Sequence, residues 1–127
     1  MPAPDVQASQ RERLLRATVA VIAAKGYPAV TVADIVRQAK VSRAAFYLHF
    51  RSREECFLAA TRRGGRLLYD SVMRAAHEVP ADTGDEEVLR VGLRAFLRFL
   101  ADEPEFARVF YIDMLQLLVF HRGNASK

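Results

Sequence analysis

Apolar side chains recur at Leu14, Leu15, Val19 and Ile22, with Thr18 and Val21 beside them, a three-and-four spacing that gathers one stripe on an α-helix. Ser9, three residues ahead of Glu12, opens this first helix in a capping box, and Gly26, followed by Tyr27 and Pro28, closes it after Lys25. Thr31 with Asp34 opens a second, short helix that buries Val32, Ile35 and Val36 and stops near Ala39. Lys40 and Val41 make a tight connection, and Ser42 caps a third helix reaching Phe50. Ser52 with Glu55 opens a fourth that runs to Val79, about 40 Å at 1.5 Å per residue. Phe57, Leu58, Leu68, Val72, Ala75, Ala76 and Val79 form its apolar side, and Gly64 and Gly65 predict a bend or a close approach midway. Thr83 with Glu86 opens a fifth helix carrying Leu89, Leu93, Phe96, Leu97 and Leu100. Pro104, suited to a first turn, opens a sixth carrying Phe106, Val109, Phe110, Leu117 and Phe120.

The expected fold is all-α: a three-helix N-terminal domain joined by the long fourth helix to a short helical C-terminal part. The third helix is too short to stand alone, since isolated helices below about 12–15 residues are marginal in water. Phe46 and Phe50, four residues apart, share a face that locks it onto the first two helices. Ser42, Arg43 and Ala44 are left exposed at its start, and Tyr47 projects its hydroxyl from the other side, as a phosphate contact or as a plain surface tyrosine. Two short helices joined by so brief a turn, braced by a longer one, have the layout of a helix-turn-helix.

Charge sharpens this picture. The 127 residues carry a net +4, yet residues 1–53 alone hold nine Lys/Arg against three Asp/Glu, so the basic surplus is local to the first half. Such asymmetry suits a chain that meets a polyanion at one end. With 51% hydrophobic and 27% charged residues the chain is globular, one domain or two joined halves. The start, MPAPDVQ, shows no secretory leader. The apolar run Val109 to Phe120 contains Asp113 and Gln116 and falls short of the roughly 20 residues that span a bilayer. One cysteine, Cys56, allows no intrachain disulfide, and a cytoplasmic location is expected. His49, His77 and His121 stand far apart, so no metal, cofactor or catalytic constellation is expected, and Cys56 reads as a small buried hydrophobe.

The run TVADIVRQAKVSRAAFYLHFRSREECF resembles the helix-turn-helix region of the tetracycline-repressor (TetR) family of bacterial transcription regulators, and RERLLRATVAVIAAKGYPAVTV resembles that family's first helix with its glycine-aromatic stop. The resemblance spans residues 9–60, with the helix-turn-helix at about 31–50, and is most specific over FYLHFRSREE. It implies that Thr31 opens the second helix against the phosphate backbone, that Ser42, Arg43 and Ala44 read bases, that Tyr47 and His49 contact the backbone, and that Arg53 replaces the family's usual lysine at the fourth helix. At Ala44 the family often has glycine. Residues 61–127 resemble the start of the family's ligand-sensing domain by architecture more than by motif.

The expected function is therefore a DNA-binding regulator, a repressor of double-stranded, palindromic operators, and not an enzyme. Tyr69, Met73, Phe96, Leu100, Phe106 and Phe110 are candidates to line a pocket for a small apolar effector, although the same spacing also suits ordinary core. The apolar sixth helix leads us to expect a homodimer or other self-association through the C-terminal helices, with Leu115, Leu118 and Val119 exposed. The alternative is a shortened helical interaction protein that pairs with a longer relative without binding DNA itself.

Overall fold

The computed structural model describes residues 4–125, apart from the side chains at 113, 114, 116, 117, 120, 121, 124 and 125. Six α-helices make up the described chain: α1 (Pro4–Lys25), α2 (Val32–Ala39), α3 (Arg43–His49), α4 (Arg53–Glu78), α5 (Asp85–Asp102) and α6 (Pro104–Ala125). A 3-10 turn, Tyr27–Ala29, links α1 to α2 behind Gly26, whose φ of 81° is open to glycine and costly for other residues.

The cap residues predicted for α2, α3 and α4 are found. The Asp34 N–H donates to Thr31 Oγ1 (3.1 Å) and the Thr31 N–H to Asp34 Oδ2 (3.0 Å), a complete capping box. Ser42 Oγ accepts from the Ala45 N–H at 3.0 Å, and Ser52 Oγ from the Glu55 N–H at 3.2 Å. Glu55 reaches past its cap to accept from the Arg51 N–H (3.0 Å). Two starts differ from expectation. α1 begins at Pro4, so Ser9 lies inside it; proline and Asp5 both suit a first turn and extend the helix ahead of its apolar stripe. α5 begins at Asp85 behind Gly84, while the Thr83 N–H closes a turn onto Pro80 O (3.0 Å), and the acids Asp85, Glu86 and Glu87 complement the helix dipole where no side chain caps it.

The main core joins α1, α2, α3 and α4 through Leu14, Leu15, Ile22, Val30, Ile35, Phe46, Phe50, Cys56 and Ala60, with Val109 of α6 lying against it. Thr18, the buried polar residue there, donates to Leu14 O (2.7 Å) and sits 3.0 Å from Cys56 Sγ. Burial pushes the Cys56 thiol up to about 11, which makes it an unreactive packing residue. A second cluster, Leu68, Leu100 and Phe106 with Val19, Val72, Phe96, Phe99 and Phe110 around it, joins α4, α5 and α6. Gly64 is the reason α6 comes so close to α4: a Cβ there would lie 2.0 Å from Phe106 Cε2.

The stripe on α5 is only half absorbed. Leu100 is buried, but Leu89, Leu93 and Leu97 are 63%, 53% and 61% exposed, because α4 and α6 cover the opposite face. Leu58 on α4 is exposed as well. Leu117 and Phe120, expected in the core of the sixth helix, lie outside the described side chains.

Candidate nucleic-acid interface

The turn between α2 and α3 is built at Lys40, the non-glycine residue with positive φ among the described residues (φ 58°, ψ 46°). Its left-handed geometry lets the N–H groups of Lys40 and Val41 both return to Val36 O, the latter at 3.2 Å, which ends α2 in one residue. Val36 and Val41 pack together against the core beneath this turn. Arg13 of α1 secures it from outside, Nε donating to Ala39 O (3.0 Å) and Nη2 to Lys40 O (2.7 Å). Periodicity shows Arg13 only as a polar position in a helix; its task depends on a fold that brings together residues 26 apart.

Held this way, α3 divides sharply. Ala45, Phe46 and Phe50 are buried, with the two phenyl rings 5.7 Å apart, and the guanidinium of Arg11 lies 5.4 Å from the Phe50 ring. Ser42, Arg43, Ala44 and Tyr47 are exposed, and Arg43 lies 5.9 Å from the Tyr47 ring on the same face. His49 is turned partly inward beside Phe50, and its Nε2 is buried without a hydrogen-bond partner among the described residues.

Thr31 is exposed at the start of α2, where N–H groups point outward and favour an anion. Asp34 at the same end is tied down: Lys25 Nζ donates to Oδ2 at 2.9 Å and Arg37 lies 3.7 Å from Oδ1. The Lys25 contact, then the Thr31 amide and hydroxyl, hold the Asp34 carboxyl down at about 2. Arg53 is not free in the way its position in the sequence suggests. Its Nη1 donates to Val30 O and to Tyr27 O (3.3 Å), its Nε to Glu54 (2.9 Å), and its guanidinium covers the Tyr27 ring at 4.9 Å. Arg53 thus locks the 3-10 turn, and with it Thr31, to the start of α4.

The expected pocket residues are brought together only in part. Phe96, Leu100, Phe106 and Phe110 meet in the second cluster, Met73 is partly buried on α4, and Tyr69 is a surface residue at 63% exposure. Phe106 also borders a cleft of about 130 Å³ with Val19, Gly64, Leu67 and Phe99. Among the described residues no group of His, Cys, Asp and Glu is placed to hold a metal ion, and no helix is long and apolar enough to cross a membrane.

A capped α2, a left-handed turn and a half-buried α3 standing on α1 define a helix-turn-helix protein. Residues 14–60 match the family described as bacterial regulatory proteins, tetR family. Over 51 residues, 40% of this chain and 18% of the relative, the sequence is 37% identical to an HTH-type transcriptional regulator, YerO, of Bacillus subtilis. The fold superposes on a TetR-like regulator from Rhodococcus sp. RHA1 (TM-score 0.79, 24% identity, 99% of this chain and 65% of that one). It also superposes on a TetR family regulator from Marinobacter aquaeolei VT8 (TM-score 0.77, 24% identity, 84% and 54%) and on a transcriptional regulator from Aquifex aeolicus VF5 (TM-score 0.64, 29% identity, 82% and 56%). Over residues 14–60 the chain is therefore similar to the TetR family of bacterial transcriptional regulators, and it spans less than two thirds of each of these relatives.

Proposed function

We propose that this chain is a sequence-specific repressor that sets α3 into the major groove of double-stranded DNA. The observation that supports it most is the division of α3, with Phe46 fully buried while Ser42, Arg43, Ala44 and Tyr47 stand exposed in the basic half of the chain. In this reading Arg43 donates two hydrogen bonds to a guanine and Ala44 rests against a thymine methyl. Thr31 presents the start of α2 to a phosphate and the Tyr47 hydroxyl reaches another, with His49 at the same backbone-contacting end of α3, while the partly buried Arg53 holds the turn ahead of Thr31 in place. Two copies on a palindromic operator put their recognition helices about 34 Å apart.

A titration of labelled duplex followed by anisotropy tests the reading. Binding is expected to weaken by orders of magnitude between about 50 and 200 mM salt, since several phosphates are neutralised. A chain that ignores duplex DNA at low salt would instead support the pairing-only alternative. Release by a small apolar effector is the finer part of the proposal. Such a ligand enters between α4, α5 and α6 at Phe96, Leu100, Phe106 and Phe110, beside Met73, and acts by favouring one orientation of α4. Its check is a thermal melt: an apolar compound that raises the melting temperature of the wild type, but not of Phe96→Ala, supports it, and equal shifts in both remove that site.

A further inference from the structure

α1 and α4 run antiparallel. Thr18 meets Cys56 at 3.0 Å, and farther back along α1 Glu12 meets Arg63, farther on along α4. Beside the Glu12–Arg63 pair these helices enclose a groove of about 340 Å³ lined by Arg11, Ala59, Arg62, Arg63, Arg66 and Leu67. Four arginines line one cleft. The carboxylate beside them, Glu12, is already engaged twice, by Arg63 (Nε 2.8 Å, and Nη2) and by Arg16 (3.1 Å). Two of the four arginines are held in place, Arg63 by its two-pronged contact with Glu12 and Arg11 by the Phe50 ring. Arg62 and Arg66, one turn apart on α4, are exposed, and their side chains have no hydrogen bond or ion pair among the described residues.

Like charges gathered in a groove are costly until an anion enters, and the planar guanidinium fork matches phosphate oxygens. We infer that this groove binds a small, free, phosphate-bearing anion, its phosphates held by Arg62 and Arg66 with Arg11 and Arg63 behind them, and any carbon skeleton resting on Ala59 and Leu67. Position sets its two free arginines apart from the proposed DNA surface. Arg62 and Arg66 lie nine and thirteen residues beyond Arg53 on α4, about 14 and 20 Å along the helix axis. That distance takes them away from a duplex seated on α3. A ligand here ties α1 to α4 in the same way that Glu12 and Arg63 do, and so bears on how the helix-turn-helix is held.

The test uses the full chain and inorganic pyrophosphate, followed by titration calorimetry. Wild type is expected to bind, and Arg62→Gln/Arg66→Gln to bind more weakly by about tenfold for each charge-assisted hydrogen bond removed. Arg43→Gln is expected to bind as wild type does. Both changed residues are exposed, so the thermal melt of the double variant should stay in place. Pyrophosphate binding that is absent, unaffected by the double change, or equally weakened by Arg43→Gln overturns the inference. The DNA salt dependence separates the two sources of phosphate: a slope unchanged in the double variant supports the free anion, whereas a slope lowered by about 0.9 per arginine makes the groove part of the DNA footprint and overturns it. The calorimetric result needs no DNA, so it stands or falls apart from the repressor reading.

Discussion

Replacing Arg53 with alanine removes the donors that Tyr27 O, Val30 O and Glu54 now share. The expected cost is about 1–3 kcal/mol of stability, because the two carbonyls lose a charged partner and the 3-10 turn its lock. Arg43→Ala touches nothing buried, so its melting temperature should match wild type, while binding weakens by about 1–3 kcal/mol on the preferred sequence and much less on random duplex. Melting and anisotropy on both variants check the pair: if Arg53→Ala melts as wild type, its hydrogen bonds are unimportant, and if Arg43→Ala loses affinity evenly on all sequences, it reads no base. The sequence showed a basic residue opening the fourth helix. It could not show which carbonyls would face that residue, since the partners sit 23 and 26 positions earlier and meet it only in the fold. Phe46 and Phe50 were legible for the opposite reason, their helical spacing being enough to assign them to one buried face.

Helix caps carry most of what could be read of the elements, because a Ser or Thr ahead of an acid is a local device that needs no tertiary partner. Thr31, Ser42 and Ser52 cap their helices as their spacing predicts; Ser9 and Thr83 do not, displaced by Pro4 and by the acidic turn after Gly84. The α2 cap also has a titration consequence. Asp34 is held at about 2 against an ordinary 3.8, so its ionised form stabilises the fold fully above about pH 4, and that contribution is lost as pH falls toward about 2. Asp34→Asn should remove this part of the acid sensitivity, which denaturant midpoints between about pH 5 and 2 would show as a shallower fall than in wild type. The two glycines of α4 separate on the same test of local against tertiary cause. Alanine at Gly65 meets nothing within 4 Å and should stabilise by about 1 kcal/mol through helix propensity. Alanine at Gly64 must push Phe106 aside and should destabilise by about 1–3 kcal/mol. Equal midpoints for the two variants would mean that α6 does not pack closely on Gly64.

At the scale of the whole molecule, the number of helices was legible but the partner of each apolar face was not. A hydrophobic period says that a stripe will be covered without saying by what. On α5 the stripe of Leu89, Leu93 and Leu97 faces away from both neighbours, and on α6 Leu115, Leu118 and Val119 are 60%, 63% and 69% exposed. Apolar surface in runs of this kind drives association in water, and burying three leucines per copy is worth several kcal/mol at about 25 cal/mol per Å². The chain is therefore expected to self-associate at micromolar concentration, which would also bring two copies of α3 into one particle, as the two-fold operator proposed above would require. Arg94 and Arg98 beside the α5 stripe limit this at low salt by repulsion between copies, while Arg90 is paired with Glu86 and Glu87, so association should strengthen as salt rises, the reverse of the response proposed for DNA. Sedimentation velocity across concentration and salt measures it directly. Leu93→Glu/Leu97→Glu and Leu115→Glu/Leu118→Glu, made separately, assign the contact to whichever pair restores a monomer. A wild-type chain that stays monomeric at both salts and binds no apolar dye would show that these leucines are tolerated in solvent and that a two-fold complex on DNA must be assembled some other way.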